Sequence, residues 1–455
     1  LYNGTLRLQD NISIPRLGSN RSGVSPYEFH VPSNAGLWID GAVVSTHDAA
    51  GTWRGITVFG KLKISAGTFT NPPETGGITY FSNNDNPGTL EITGGEVYTT
   101  QLKQADESGQ FNYIQSGGKL VINALSDSRD DSGVFALPQA SHTFTMSGGE
   151  IIISNVNNTV NNGIEIGVGE GNANVTGGTI EIRTPTLNAG SRDGEFRINS
   201  TAPLYNLTLN ASTSSEQQVV LVNDLEVLND FTVGEDTEFS ANGHSLSVGG
   251  RLTVEGAFDV EMLRMNGPGN GGINIGSAAD FTIQNLRVEK STEFLGVTLE
   301  DEEFVVTQDL EIERGNLLLN DKILTINGGV SLGKGNVVSG DGRIVLAGSV
   351  THILVSDSED YAMGHVELAG NAVLNSHVVF DEFTLTSGIM DIGKYRMTVN
   401  HRGINGAGFG NTKMIKTGGL ASDKGLNFRF SLDPAGDILY PVGVDDNGNK
   451  YTTAT

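Results

Sequence analysis

A short glycine motif recurs along the chain and constrains the fold more than any other feature. An apolar residue, a small residue and a Gly-Gly pair precede a strand-like alternation in residues 146–153 (MSGGEIII) and 175–182 (VTGGTIEI), and a shorter version spans residues 248–254 (VGGRLTV). The Gly pair permits positive φ, so the chain can turn there. The apolar residues two and four positions later share one face of the next strand and are predicted to point inward.

The residue between these two inward positions is predicted to lie on the outer face of the strand. Four copies of the motif place it at Val121, Ile152, Glu181 and Thr253. Successive Gly pairs begin at positions 94, 117, 148 and 177, so they are separated by 23, 31 and 29 residues. A solenoid repeat of roughly 20–30 residues has this spacing, which favours one coil of a β-helix per Gly pair.

Helix signals do not accompany these strands. No segment of 12 or more residues shows convincing 3.6-residue apolar spacing, whereas a parallel sheet built from βαβ units needs crossover helices. We therefore predict an all-β chain that forms a right-handed parallel β-helix, a solenoid, with the handedness following the general crossover rule. An antiparallel β-sandwich is the alternative, since Asn-Gly turn signals occur at 242, 266 and 327.

Three segments are expected along the chain. Residues 1–30 are predicted to be irregular, residues 31–420 to form the β-helix, and residues 421–455 to begin a further β module. A super-repeat near 80 residues is predicted within 200–400, because NLTL at 206, DLEV at 224 and LSVGG at 246 resemble NLRV at 285, DLEI at 309 and LTINGG at 324. Asn residues at turns are expected to form hydrogen-bonded ladders.

Composition excludes several functional classes. The 455 residues include 28 Lys and Arg and 53 Asp and Glu, which gives a net charge of −25. This charge argues against a nucleic-acid partner or an anionic membrane surface. The absence of cysteine excludes disulfides, thiol catalysis and Cys-ligated metals, and no apolar run is long enough for a transmembrane helix.

Two segments resemble a junction in very large surface proteins of Bacteroidota-type bacteria: residues 196–207 (FRINSTAPLYNL), and residues 440–443 (YPVG) followed by Tyr451-Thr452. The resemblance extends over residues 30–455 and is strongest over 165–445. It implies a right-handed parallel β-helix exported by the type IX secretion system, in a class that includes cell-surface adhesins and proteins propelled during gliding motility. The implied partners are the type IX machinery during export and cell-surface anchoring proteins.

Carboxylates offer the main alternative to an adhesin. The densest acidic run is 127–133 (DSRDDSG), in which Asp130 and Asp131 next to Arg129 suit a glycosidase or a calcium-dependent lyase. The same run also suits a solvated loop. The Gly-His-Gly and Arg-Ile-Lys segments of β-helix polygalacturonases are not matched, since 243–245 reads Gly-His-Ser. Residues 300–303 (EDEE) are predicted to be a solvated loop or outward face.

The other residues that could bind a metal or a sugar also have a purely structural interpretation. Residues 445–449 (DDNGN) carry part of a calcium-loop pattern, but the same residues are ordinary turn formers. Trp38 and Trp53 could stack on a sugar, although an early Trp more often caps or fills the first coil. The histidines are dispersed and do not pair at metal-ligand spacing; they lie at positions 30, 47, 142, 244, 352, 365, 377 and 401.

These observations predict a structural or adhesive segment of a very large secreted bacterial cell-surface protein, located on the outer face of the outer membrane. No catalytic, cofactor-binding or metal-binding residue is assigned, and no nucleic-acid partner or membrane insertion is expected. The alternative function is that of a carbohydrate-active β-helix enzyme, either a polysaccharide lyase or a glycoside hydrolase.

Overall fold

The structure is a computed structural model. It describes residues 3–13, 29–46, 55–71, 77–81, 87–105, 109–123, 133–155, 163–183, 195–210, 217–276, 280–301, 303–429 and 438–454. The regular secondary structure of these residues consists of strands, and no helix occurs among them. The prediction of an all-β chain is confirmed.

Short strands follow one another along the whole described chain. Over residues 3–244 they are β1 (Gly4–Leu8), β2 (Ile12–Ser13), β3 (Phe29–Val31), β4 (Ala35–Ser45), β5 (Ile56–Val58), β6 (Lys61–Thr70), β7 (Ile78–Tyr80), β8 (Gly88–Ile92), β9 (Glu96–Thr99), β10 (Leu102–Gln104), β11 (Phe111–Asn123), β12 (Phe135–Leu137), β13 (Thr143–Asn155), β14 (Ile164–Ile166), β15 (Ala173–Ile182), β16 (Glu195–Ser200), β17 (Asn206–Leu209), β18 (Gln217–Leu221), β19 (Leu225–Val227), β20 (Phe231–Val233) and β21 (Thr237–Ser240).

The remaining strands lie between residues 245 and 454. They are β22 (Ser245–Val248), β23 (Arg251–Val254), β24 (Ala257–Met265), β25 (Gly271–Ile275), β26 (Phe281–Glu289), β27 (Gly296–Leu299), β28 (Glu303–Val306), β29 (Leu310–Arg314), β30 (Asn316–Leu318), β31 (Ile323–Ile326), β32 (Val330–Lys334), β33 (Val337–Val338), β34 (Arg343–Leu346), β35 (Thr351–Ser356), β36 (His365–Ala369), β37 (Asn371–Leu374), β38 (Val378–Phe380), β39 (Glu382–Gly393), β40 (Arg396–Val399), β41 (Lys413–Thr417), β42 (Gly425–Phe428), β43 (Tyr440–Asp445) and β44 (Asn449–Ala454).

The chain forms two compact units, one of residues 1–244 with 254–258 and one of residues 245–253 with 259–455. In each unit a strand pairs in parallel with the strand one coil later. In the first unit β13 lies between β11 and β15 in this way, and in the second β29 lies between β26 and β32. Each unit is therefore a parallel β-helix, and the antiparallel β-sandwich alternative is wrong.

The interior of the first unit contains columns of aliphatic side chains in register. Leu120 pairs with Ile151, Ile151 with Ile180, and Ile180 with Leu207. All four side chains are at most 1% exposed, which confirms the predicted inward positions. The burial of such columns supplies the main favourable term in folding.

One predicted outer position is buried instead. Ile152 is only 5% exposed, although it points away from the column formed by its neighbours Ile151 and Ile153. In register it stands between Val121 and Glu181. A side chain on the outer face is shielded when side chains of adjacent coils stand on both sides of it, so alternation alone does not predict its exposure.

The Gly pairs lie inside long strands rather than between strands. β11, β13 and β15 run through their Gly pairs, and the pairing register shifts at these points as it does at a β-bulge. The second glycine has positive φ in each case, with 65° at Gly118, 84° at Gly149 and 97° at Gly178. A Cβ added to Gly149 would lie 2.6 Å from the Gly117 carbonyl oxygen, so close stacking of coils also requires glycine here.

Asparagine ladders connect neighbouring coils, as expected from the sequence. Asn229 Nδ2 donates to Asn206 Oδ1 at 2.8 Å in the first unit. Asn336 Nδ2 donates to Asn316 Oδ1 at 3.4 Å in the second. Asn206 and Asn316 begin β17 and β30, and their Oδ1 atoms also accept from the backbone N–H groups of Asp230 and Asn336. The ladders therefore satisfy backbone donors of the next coil.

The predicted super-repeat near 80 residues is not a structural repeat. Residues 206–209 pair with residues 231–233 rather than with 224–227. In the supposed second copy, by contrast, Leu286 pairs directly with Leu310. Similar sequences therefore occupy different positions of the coil. Register in the second unit advances by 24 residues from Leu286 to Leu310 and by 20 from Leu310 to Val330.

Both ends of the described chain take part in the strand pairing. β1 lies within the segment 1–30 that was predicted to be irregular, yet it pairs in parallel with β4. The prediction is therefore wrong for residues 4–8. Their sequence alternates polar and apolar residues, and it pairs residue by residue with 35–39 of β4. In the segment 421–455, β42 and β43 pair in parallel with β40 and β41. β44 then folds back antiparallel on β43.

We predict that Ile180→Asp will unfold the coils around it, because an unpaired charge in the interior costs several kcal/mol. Glu181→Gln is the matched control, since Glu181 lies on the outer face and binds Arg183 at 2.6 Å; loss of this pair costs about 1 kcal/mol or less. Limited proteolysis with mapped cleavage sites should show new sites only in Ile180→Asp. Equal protease sensitivity of the two variants would contradict the assigned register.

Stacking of the glycines gives a second prediction. Gly149→Ala should lower the urea midpoint more than Gly41→Ala. Both glycines have positive φ, 84° and 96°, which costs an L-residue about 1–2 kcal/mol. A Cβ at Gly41 has no neighbour within 4 Å, whereas one at Gly149 meets backbone. Equal losses would mean that strain alone, and not close stacking, requires glycine.

Candidate functional site

Of the acidic run 127–133, only Gly133 lies within the described residues. Asp127, Asp130 and Asp131 lie outside the described residues. Of the second run, Glu300 forms an ion pair with Arg251, Asp301 accepts a hydrogen bond from the Ile275 backbone N–H, and Glu302 also lies outside the described residues. Among the residues that are described, no group of three or more His, Asp and Glu side chains could hold a metal ion.

Residues 445–449 form the turn between β43 and β44. Asn447 and Gly448 have positive φ values of 56° and 113°. The Gly448 N–H donates to Asp445 Oδ1 at 3.2 Å, and Lys450 Nζ lies 2.6 Å from Asp446 Oδ2. These are the contacts of a hairpin turn whose acidic side chains are already engaged.

Trp38 lies on the outer face of β4, so the expectation that it caps or fills the first coil is wrong. In register it stands between Arg7 and Lys63. The Arg7 guanidinium lies 4.4 Å and the Lys63 ammonium 5.4 Å from the ring centroid, and the indole N–H donates to Ser65 Oγ at 2.7 Å. Cation–π contacts therefore occupy the surface that a sugar would need. Trp53 lies outside the described residues.

His142 is a buried residue of the first unit. It is fully buried, and the Phe111 backbone N–H donates to its Nδ1 at 3.1 Å. Its Nε2 lies 3.4 Å from Gln104 Oε1, so the neutral ring carries its proton on Nε2. Burial lowers the pKa of His142 to about 4.

A cationic cavity in the second unit was not predicted from the sequence. Lys290, directly after β26, is 1% exposed. Its ammonium donates to the carbonyl oxygens of Gly249, at 2.8 Å, and Asn266. No carboxylate of the described chain pairs with it. Burial lowers the pKa of Lys290 to about 8.

The cavity beside Lys290 has a volume of about 380 Å³, and Ser247, Ser291, Arg264 and Arg314 contribute to its wall. Arg264 Nε is buried and has no hydrogen-bond partner among the described residues. Arg314 Nη1 donates to the Ser291 carbonyl at 3.4 Å. The cavity thus combines three cations with two serines, which is the chemistry of an anion site.

Glu289 is the acidic residue in the wall of this cavity. Its carboxylate forms an ion pair with Arg287, 3.2 Å from Nε, without a hydrogen bond to that N–H. Arg287 also forms ion pairs with Glu311 and Glu313. The three cations at 264, 290 and 314 are 26 and 24 residues apart, about one coil each. That spacing could have indicated the cluster, but only with the coil length known beforehand.

Comparison with known proteins gives no assignment, because no protein family and no curated protein matches the sequence. Among the described residues, no helix is long and apolar enough to cross a membrane.

The buried state of His142 predicts a pH dependence. Its pKa is about 4 in the fold and near 6.5 in an unfolded chain. Between these values the unfolded state binds more protons, so the contribution of His142 is complete above pH 6.5 and is lost as the pH falls toward 4. Urea midpoints at pH 7 and pH 4.5 should therefore differ more in the wild type than in His142→Asn, whose amide oxygen replaces Nδ1 as an acceptor. Identical pH dependence of the two proteins would contradict this.

Proposed function

We propose that this chain is a structural and adhesive segment of a very large bacterial cell-surface protein, secreted through the type IX system and acting in adhesion, including gliding motility. The observation that carries the proposal is the in-register stacking of coils in both units. Such repetition builds surface and mechanical continuity, and each coil needs only its neighbours for its core.

The outer faces support the same proposal. Charged residues of successive coils pair in register: Lys63 with Glu91 at 2.8 Å, Lys119 with Glu150 at 2.8 Å, and Lys416 with Asp391 at 2.7 Å. Ion pairs of this exposed kind contribute about 0–1 kcal/mol each. These pairs give the described outer faces a surface on which basic and acidic side chains of neighbouring coils neutralise each other. A polysaccharide lyase or glycoside hydrolase would instead need a groove with converging carboxylates.

The proposed location is the outer face of the outer membrane, with the type IX machinery as a transient partner and anchoring proteins as permanent ones. The net charge of −25 keeps such a surface soluble. The proposed partner of the adhesive surface is an extracellular surface or a glycan.

Antibodies raised against the purified chain test this proposal on cells of the source bacterium. We expect labelling of intact cells, and loss of attachment or gliding when the segment is deleted in frame from its gene. A strain carrying Glu181→Gln serves as the control with unchanged attachment. Labelling only after permeabilisation would contradict the proposal. Turnover of acidic polysaccharides that Asp130→Asn and Asp131→Asn abolish would establish the enzyme instead.

A further inference from the structure

We propose that the cavity beside Lys290 is a binding site for an oxyanion, namely a carboxylate or a sulfate group. The inference rests on the cavity alone and is independent of the proposed function. Arg264, Lys290 and Arg314 contribute three positive charges to its wall. Glu289 is also in the wall and shares its ion-pair partner Arg287 with Glu311 and Glu313, so the wall carries three cations and one carboxylate. A chain of net charge −25 here exposes a local cationic cavity.

The donors of this cavity are incompletely used. Arg264 Nε is buried without a partner among the described residues, and buried N–H groups in folded proteins are normally hydrogen-bonded. A Lys ammonium has three N–H donors, two of which Lys290 directs to Gly249 and Asn266. An oxyanion in the cavity would accept from Arg264 and from the remaining N–H of Lys290.

The backbone around Lys290 leaves space for this side chain. A Cβ at Gly271 would lie 3.0 Å from Lys290 Nζ, and a Cβ at Gly315 would lie 2.9 Å from Lys290 Cβ. Glycines in two different coils thus allow the lysine to reach the cavity, where carbonyls from two further positions hold its ammonium in place. This arrangement positions the charge before any ligand arrives, which lowers the entropic cost of binding.

The size of the cavity and the type of its cations define the ligand class. Its volume of about 380 Å³ lies within the range of small-molecule sites and exceeds that of a bare anion. The planar fork of an arginine matches the oxygens of a carboxylate or sulfate. A free anion and an anionic substituent of a sugar share this chemistry.

Isothermal titration calorimetry of the full chain with sodium sulfate and with sodium glucuronate tests the site. Sodium chloride at matched ionic strength and neutral glucose are the reference titrants. We expect saturable binding of at least one of the two anions, weakened by about tenfold or more in Arg264→Gln, since a charge-assisted hydrogen bond is lost. Tighter binding of glucuronate than of sulfate identifies a carboxylate as the preferred group, and the reverse identifies a sulfate.

Arg343→Gln is the matched control, because Arg343 lies in the same unit and is paired with Glu367 at 2.8 Å. Its anion affinity should equal that of the wild type. Lys290→Met should weaken binding as well, and Arg264→Gln keeps the test valid if that variant does not fold. Absence of saturable binding beyond the chloride reference, or equal affinity in Arg264→Gln and wild type, would overturn the proposal.

Discussion

Parallel backbone pairing between one coil and the next is the interaction on which the rest of each unit depends. A strand with neighbours on both sides has its N–H and C=O groups satisfied without any helix. The pairing also places equivalent side chains directly above one another, as in the column of Leu120, Ile151, Ile180 and Leu207. The hydrophobic interior is thus a consequence of register, because a strand displaced by one residue would turn its inward side chains to the outer face.

The same close stacking limits what the corners can contain. At Gly118, Gly149 and Gly178 the backbone has positive φ. Backbone of the preceding coil occupies the space where a Cβ would be at Gly118 and Gly149, and the Met146 side chain occupies it at Gly178. Elsewhere a hydrogen bond between side chains connects neighbouring coils: Thr46 Oγ1 donates to Asn71 Oδ1 at 2.7 Å inside the first unit. At these described positions a glycine therefore leaves room for the neighbouring coil, or a polar side chain hydrogen-bonds to that coil.

Local pattern was sufficient to predict the strands, the inward face and the stacking of the Gly pairs. It failed where position depends on coil length: residues 206–209 and 285–288 look alike, but occupy different places because coils differ in length. Trp38 faces outward because its neighbours Leu37 and Ile39 are buried, but its contact with Arg7 could not be predicted, since Arg7 lies in a segment that was predicted to be irregular. The cavity at Lys290 was not predicted for a related reason, since Arg264, Lys290 and Arg314 are neighbours only across coils.

Reversal of the chain at β44 changes the mode of strand pairing in this part of the sheet. β43 continues the parallel stack on β41, but β44 pairs with β43 in the opposite direction. A parallel pair in the solenoid forms only after the chain has passed through a whole coil, whereas this pair is closed by the short turn between Asp445 and Asn449. Closing so short a loop costs little chain entropy, so the hairpin can form without a neighbouring coil to build on.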